Sequence, residues 1–432
     1  MKIALLTLGC KLNFAETSTY QRGFVSHGFE VVPWEEKADV YLVNTCSVTQ
    51  HSDNKCRNII RKCHRVSPDA AIVVTGCYAE LRKEEVASIE GVKLVFGAKD
   101  KSRVVPDTVA FLKGEKPSTA QLSPSPGAIT AERYKDISST IMAAHSRGDR
   151  TRSFLKVQDG CNNFCAYCTV PYARGESRNI PIADLVSQAE EIASSGTKEI
   201  VITGVNTGDF GRSTGESFLD LLKALDKVEG ISRYRISSIE PNLLSDEIID
   251  WIASGTSFMP HFHIPLQSGS DLLLKKVGRR YSTEEFAARI GRIREAMEGP
   301  GKLPVFFGID VIVGLPGESE ELFQETVSFL RDRVQPSFIH IFPYSKRPGT
   351  RAASMPDQVQ DRIKTERVKI LEGLCEDLHS RFVGKCAGLQ TEVLWESTCH
   401  NGMMSGYTPN YLRMEAPYDP SLIGTLGAVI IR

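Results

Sequence analysis

Phe154-Leu-Lys-Val-Gln-Asp-Gly-Cys161-Asn-Asn-Phe-Cys165-Ala-Tyr-Cys168 joins a β-rich apolar run to three cysteines spaced four and three apart. Three thiolates at that spacing, on the loop leaving a strand, can wrap one metal cluster. A 4Fe–4S cubane held by only three protein ligands keeps one iron open. A closed zinc site is the alternative, but it needs a fourth ligand that the neighbouring sequence does not offer.

The run before the cysteines opens a repeating pattern. Candidate strands Phe154–Gln158, Glu199–Thr203, Tyr234–Ser238, Phe262–Leu266, Phe306–Val313 and Phe338–Phe342 alternate with candidate helices Ile182–Ser195, Phe218–Val228, Ser245–Ile252, Thr283–Met297 and Glu320–Arg331. Such a series predicts an incomplete (β/α)6 barrel over 147–375, closed by a helix at Gln358–Leu378, with its active face at the strand carboxyl ends. The cysteines lie on that face. So do Gly204, Asn206, Ser238, Glu240, His263, Gln267, Ser268 and Asp310. Singly, such clusters are ordinary strand-to-helix turns; on one rim beside a cluster they are candidate cofactor contacts. Arg174 and Arg178 are placed either to pair with a carboxylate or phosphate, or to form a solvated surface pair.

Upstream, Ile3–Leu8, Val40–Val43 and Ala71–Thr75 read as strands, with helical stretches at Glu16–His27, Asp53–Arg65 and Lys83–Ile89. Residues 1–112 are therefore expected to form a small α/β domain with a parallel sheet. Its strands run into Gly9-Cys10, Asn44-Thr45-Cys46 and Gly76-Cys77. Parallel strands bring their carboxyl ends to one edge, so Cys10, Cys46 and Cys77 are expected to converge as a second triad. The domain lacks a phosphate-gripping glycine loop, which argues against a flavin or B12-like protein. Residues 113–146, with Ser-Pro-Ser-Pro at 123–126, read as a connecting arm. In 376–432, strand candidates Thr391–Trp395, Tyr411–Glu415 and Ala428–Arg432, with glycines such as Gly402 and Gly406 read as turns, predict a small β-barrel. The remaining Cys56, Cys63, Cys375, Cys386 and Cys399 are expected to be structural.

The 432 residues suggest two or three domains, and 52 Lys plus Arg against 53 Asp plus Glu exclude a globally basic nucleic-acid coat. A local patch remains possible: Lys55, Arg57, Arg61, Lys62 and Arg65 share a predicted helix. By contrast, 376–432 carries six acidic and four basic residues. No run is long enough to span a membrane, and Ile3–Leu8 is short for a secretion signal, so a cytoplasmic location with reduced thiols is expected.

The Cys161–Cys168 spacing resembles that of the radical S-adenosylmethionine superfamily. The resemblance implies S-adenosylmethionine on the open iron, Tyr167 beside its adenine, and Gly204 and Asn206 near its amino group. Over nearly the whole chain the sequence resembles the methylthiotransferases of that superfamily. The likeness rests on Leu8-Gly9-Cys10-Lys11-Leu12-Asn13, Asn44-Thr45-Cys46, Gly76-Cys77-Tyr78-Ala79, Gln158-Asp159-Gly160-Cys161, Pro171-Tyr172-Ala173-Arg174-Gly175 and Phe342-Pro343-Tyr344-Ser345. Gly406-Tyr407-Thr408 with Asn410-Tyr411 matches a TRAM module.

Within the family, Gly9-Cys10-Lys11-Leu12-Asn13 is similar to the branch acting on N6-threonylcarbamoyladenosine at tRNA position 37. The alternatives are isopentenyladenosine in tRNA and a ribosomal-protein aspartate. The family implies two 4Fe–4S clusters, one on Cys161, Cys165 and Cys168 and an auxiliary one on Cys10, Cys46 and Cys77. It implies two S-adenosylmethionine per product: one yields a radical that removes hydrogen from carbon 2, the other methylates the transferred sulfur. It further implies a tRNA anticodon stem-loop as partner, an electron donor such as flavodoxin or ferredoxin, and a monomer. Outside the enzyme class, the reading is an Fe–S or zinc scaffold that binds RNA.

Overall fold

The computed structural model describes residues 1–115, 141–148 and 150–432. Ser-Pro-Ser-Pro and most of the expected connecting arm lie outside the described residues.

β1 (Lys2–Thr7), β2 (Glu30–Val31), β3 (Val40–Thr45), β4 (Ala71–Gly76) and β5 (Val92–Val95) form a parallel sheet in the order β2-β1-β3-β4-β5. Every residue of β3 and β4 is buried, because apolar cores pack on both sheet faces. That is why these strands read as unbroken apolar runs. The strand order reverses between β1 and β3, where open α/β sheets take ligands. Thr7, Asn44 and Thr75 lie in register across the edge, so Cys10, Cys46 and Cys77 leave the sheet side by side. α1 (Lys11–Ser26) begins five residues before its expected start, directly after Cys10; α2 (Gln50–Val66) follows β3, and α3 (Cys77–Leu81) follows β4.

β6 (Ala144–His145) pairs antiparallel with β7 (Arg152–Lys156). β8 (Gln158–Asp159) and β9 (Arg178–Asn179) form a short antiparallel ribbon that closes the cysteine loop. The remaining parallel strands are β10 (Glu199–Thr203), β11 (Arg233–Ile236), β12 (His261–Gln267), β13 (Phe306–Val313) and β14 (Phe338–Pro343). With β7 they form two sheets, ordered β11-β10-β7-β6 and β12-β13-β14, joined by one parallel bridge between Tyr234 and Phe258. One apolar core runs through both sheets. The expected closing helix is longer than its sequence signal. It spans Asp361–Cys386, through positions 375 and 378, because Phe382 and Cys386 extend its buried face.

β15 (Gln390–His400), β16 (Met403–Tyr407), β17 (Arg413–Pro417) and β18 (Leu426–Ile430) make an antiparallel sheet in the order β17-β16-β15-β18. β16 escapes sequence reading because Gly406 looks like a turn. It is a strand glycine: a Cβ there would fall 2.5 Å from the Leu394 carbonyl oxygen.

Three joints hold these parts together. α1 packs across β6 and β7, where Phe14 and Phe154 meet edge-on at 5.5 Å and Arg22 donates to the His145 carbonyl at 2.9 Å. Buried Arg347 reaches Asp53 at 2.6 Å and Ser47 at 2.8 Å. Buried Arg233 and Arg235 donate to the carbonyls of Tyr407 (2.9 Å), Thr408 (2.8 Å) and Pro409 (2.7 Å).

His145 lies buried in the first joint, and burial lowers its imidazole pKa to about 4. Protons therefore bind the unfolded chain first, and this group's stabilisation is lost as pH falls from about 6.5 through 4. Denaturant unfolding should show a loss from this group of about 2–3 kcal/mol between pH 7.5 and 4.5. His145→Gln should remove that component; an unchanged pH slope would show that His145 is not its source.

Candidate active site

The central cysteine loop is anchored by Gln158. Its Nε2 donates to the Gly160 carbonyl at 2.7 Å and to Ser177 Oγ at 2.9 Å. Its Oε1 accepts the Val205 and Asn206 N–H groups at 2.9 and 3.0 Å. One buried amide thus ties the cysteine loop to the loop after β10.

Each sulfur of this triad receives a hydrogen bond. Cys161 Sγ accepts from the Asn163 N–H at 3.5 Å, Cys168 Sγ from the Val170 N–H at 3.4 Å, and Cys165 Sγ from Arg279 Nη1 at 3.4 Å. Burial pushes the Cys161 thiol up to about 11 and, with Cys165 beside it, Cys168 up to about 12. Three sulfurs that accept N–H groups, Cys165 buried and Cys161 and Cys168 half-buried, suit iron-bound thiolates, which such bonds stabilise. They line a cavity of about 330 Å³ together with Tyr167, Asn206, Ser238, Glu240 and Gln267.

Gln267 lies at φ +72°, where the β12–β13 register shifts. Such a conformation costs on the order of 1 kcal/mol or more and is kept where surrounding contacts impose it. Gly204 is absent from the cavity lining and instead packs against Gln158. Arg279 carries no motif and escapes sequence reading. It bonds Glu240, Tyr281 Oη at 3.0 Å and the Pro265 carbonyl at 3.4 Å.

Of the two sequence readings for Arg174 and Arg178, pairing with a carboxylate holds and the solvated surface pair does not. Both are buried, neither lines this cavity, and they are not a solvated pair. Arg174 donates to Asp159 Oδ1 at 2.8 Å and Asn13 Oδ1 at 2.6 Å; Arg178 donates to the Arg174 carbonyl at 2.7 Å. Buried carboxylates have drawn the arginine pair inward.

At the amino-terminal edge, Asn13 Nδ2 bonds the carbonyls of Leu8 and Thr45 at 2.8 and 3.0 Å, tying the exits of β1 and β3 together. The chain is so close here that a Cβ on Gly9, at φ +108°, would meet Cys46 Cβ at 2.6 Å. Burial pushes the Cys46 thiol up to about 11, with Cys77 and Cys10 adding to the rise. It raises Cys77 too, against the opposing charges of Arg174 and Lys101.

Behind this edge, Glu16 Oε1 accepts from Lys101 and Lys156 Nζ, each at 2.8 Å, and Asp159 Oδ2 from Lys156 at 2.7 Å. Burial opposes ionisation of both carboxylates, yet the surrounding Lys and Arg groups hold them well below their usual range. Burial and Arg174 push Lys101 down. Two carboxylates thus face four cations, counting Arg174 and the more distant Arg178. An anionic thiolate-held cluster at Cys10, Cys46 and Cys77 fits that excess.

Neither triad gathers its sulfurs as tetrahedral zinc would. Zn–S bonds of about 2.3 Å place sulfurs roughly 3.8 Å apart. Among the described residues, His263, Asp310 and His340 alone bring three ligand atoms within 4.8 Å of one another. His263 Nε2 and Asp310 Oδ1 are hydrogen-bonded at 2.6 Å. Asp310 lines the first cavity, while His263 and His340 line a second of about 1120 Å³. That second cavity is walled by all three parts of the chain, from Cys10 and Lys11 through Arg152 to Tyr407 and Tyr411. The two tyrosines stack at 4.7 Å with Arg152 over both rings.

The basic run on α2 is partly neutralised: Arg57 pairs with Glu85 at 2.6 Å, and Lys62 lies 4.3 Å over the Trp34 ring. Arg61 and Arg65 line a surface hollow. Cys56, Cys63, Cys375 and Cys386 are buried, while Cys399 is exposed.

The family model described as Uncharacterized protein family UPF0004 matches residues 2–97, and that of the Radical SAM superfamily matches 155–330. One cysteine triad falls in each. The threonylcarbamoyladenosine tRNA methylthiotransferase MtaB of Bacillus subtilis is 38% identical, covering 99% of this chain and 93% of its own length. A tRNA-2-methylthio-N(6)-dimethylallyladenosine synthase of Alkaliphilus oremlandii is 30% identical, over 98% of this chain and 89% of its own. Among solved structures, the radical S-adenosylmethionine methyltransferase TsrM of Kitasatospora setae has a similar fold (TM-score 0.59, 14% identity), covering 94% of this chain and 77% of that one. With relatives of that identity matched almost end to end, the chain belongs to the radical S-adenosylmethionine methylthiotransferase family.

Proposed function

We propose that this chain methylthiolates carbon 2 of N6-threonylcarbamoyladenosine at position 37 of tRNA. The observation that carries the reading is the 38% identity over 99% of the chain to an enzyme named for that nucleoside, against 30% for the dimethylallyladenosine enzyme. Carbon 2 of adenine bears a C–H bond that no side-chain base readily opens; S-adenosylmethionine on a reduced 4Fe–4S cluster supplies the radical chemistry when bound, and a second cluster supplies sulfur.

In this reading Cys161, Cys165 and Cys168 hold the first cluster. Tyr167, Asn206, Ser238, Glu240 and Gln267 line the cofactor's cavity, and Gly204 with Gln158 shapes its approach. Arg279 brings positive charge to the sulfur of Cys165. Cys10, Cys46 and Cys77 hold the second cluster, with Arg174 and Lys101 supplying countercharge. Arg178 positions Arg174 through its carbonyl.

The finer architecture goes with this function: a partial (β/α)6 core over 147–375, a TRAM module over 376–432, a cluster domain over 1–112 and an arm over 113–146. Tyr407, Tyr411 and Arg152 offer rings and charge for an unstacked base of the anticodon stem-loop, while Arg61 and Arg65 offer phosphate contacts. The proposed setting is a cytoplasmic monomer fed by flavodoxin or ferredoxin. No helix among the described residues is long and apolar enough to cross a membrane.

Iron analysis of anaerobically reconstituted protein should give about eight irons per chain. The Cys10→Ala/Cys46→Ala/Cys77→Ala triple variant should give about four, cleave S-adenosylmethionine still, and transfer no methylthio group. Full transfer by that variant would sink the second-cluster assignment. To test substrate choice, the enzyme is incubated anaerobically with S-adenosylmethionine, a reductant and tRNAs carrying each modified adenosine, and the nucleosides are read by mass spectrometry. A methylthio adduct is expected on threonylcarbamoyladenosine; an adduct on isopentenyladenosine alone would overturn that substrate.

A further inference from the structure

The second cavity is rich in cations, and most are spoken for. Arg152 is bound by Glu396 at 2.8 Å and by Tyr411 Oη at 3.1 Å. Arg235 is held by Glu199 and the Thr408 and Pro409 carbonyls. Arg413 pairs with Glu415 at 2.9 Å, and exposed Arg150 lies over the Phe14 ring at 4.4 Å. Arg432 is exposed at the chain end.

Lys11 differs from all of these. It is partly buried at the start of α1, lines the cavity, and has no hydrogen-bond or ion-pair partner among the described residues. The nearby carboxylate of Asp310 is already hydrogen-bonded to His263. A shielded ammonium with no ion-pair partner among the described residues is a site for an anion, because desolvating it alone is costly.

The chemistry of the proposed substrate supplies one. N6-threonylcarbamoyladenosine carries the free carboxylate of threonine on its exocyclic nitrogen; an isopentenyl group carries no charge. We propose that the Lys11 ammonium binds this carboxylate and thereby selects the threonylcarbamoyl nucleoside over an uncharged N6 substituent. The inference rests on the substrate reading above. Lys11 follows Cys10 directly, so the residue that grips the substituent and a residue proposed to hold the sulfur source stand on one turn of chain. Binding the carboxylate there brings the adenine to that edge. A tRNA phosphate is the other anion of matching chemistry, and the test separates the two.

Stem-loop RNAs carrying either threonylcarbamoyladenosine or its neutral threoninamide analogue are compared on the anaerobically reconstituted full chain, by dissociation constant and by kcat/KM. The wild type should prefer the carboxylate about tenfold or more. Lys11→Gln should reduce that preference to within about twofold, and Lys11→Arg should keep most of it. Iron content of each variant verifies that the neighbouring clusters are intact, and the wild-type ratio needs no variant at all. Absence of a wild-type preference would overturn the proposal. So would Lys11→Gln weakening both RNAs equally, the mark of a phosphate contact. If the wild type modifies isopentenyladenosine alone, the substrate reading itself fails, whatever Lys11 does.

Discussion

Two carboxylates with no access to water, Glu16 on α1 and Asp159 on β8, hold the amino-terminal sheet against the central strands. Burying ions is costly, and removing one partner of such a set typically destabilises by about 3–5 kcal/mol. Here the arrangement also has a geometric use. Asp159 orients Arg174, Arg174 holds Asn13, and Asn13 gathers the exits of β1 and β3 where two of the cysteines stand. Asp159 itself lies two residues before Cys161. The relative placement of the two triads therefore runs through one buried electrostatic knot, more positive than its own acids neutralise.

A second division of labour lies within the central strands. The smaller cavity gathers the hydrogen-bonded sulfurs, and the larger one gathers surfaces from all three parts of the chain. His263, Asp310 and His340 stand between them on adjacent strands. Asp310 lines the smaller cavity and the two histidines line the larger one, so this polar layer borders both.

Sequence alone carried a good deal of this. The parallel strands were legible because both of their faces are buried, so β4 and β13 announce themselves as apolar runs. The triads were legible because cysteines at strand exits are rare enough to notice. What stayed hidden has a common cause: it depends on partners distant in the chain. Arg279 meets Cys165 across 114 residues, and Gln158 meets Asn206 across 48. Arg174 and Arg178 were visible as charges, but nothing local said that Asp159 would be buried with them, or that Glu16, far upstream, would join Arg174 there. Gly406 looked like a turn because its crowding comes from Leu394 on another strand.

The grip on the carboxy-terminal sheet has a corollary for how such a protein diversifies. Arg233 and Arg235 hold it largely through backbone oxygens of Tyr407, Thr408 and Pro409, which every amino acid supplies. Attachment is thus largely decoupled from side-chain identity on the outward face. Side chains on that face, acidic residues included, can therefore change while the mounting stays the same.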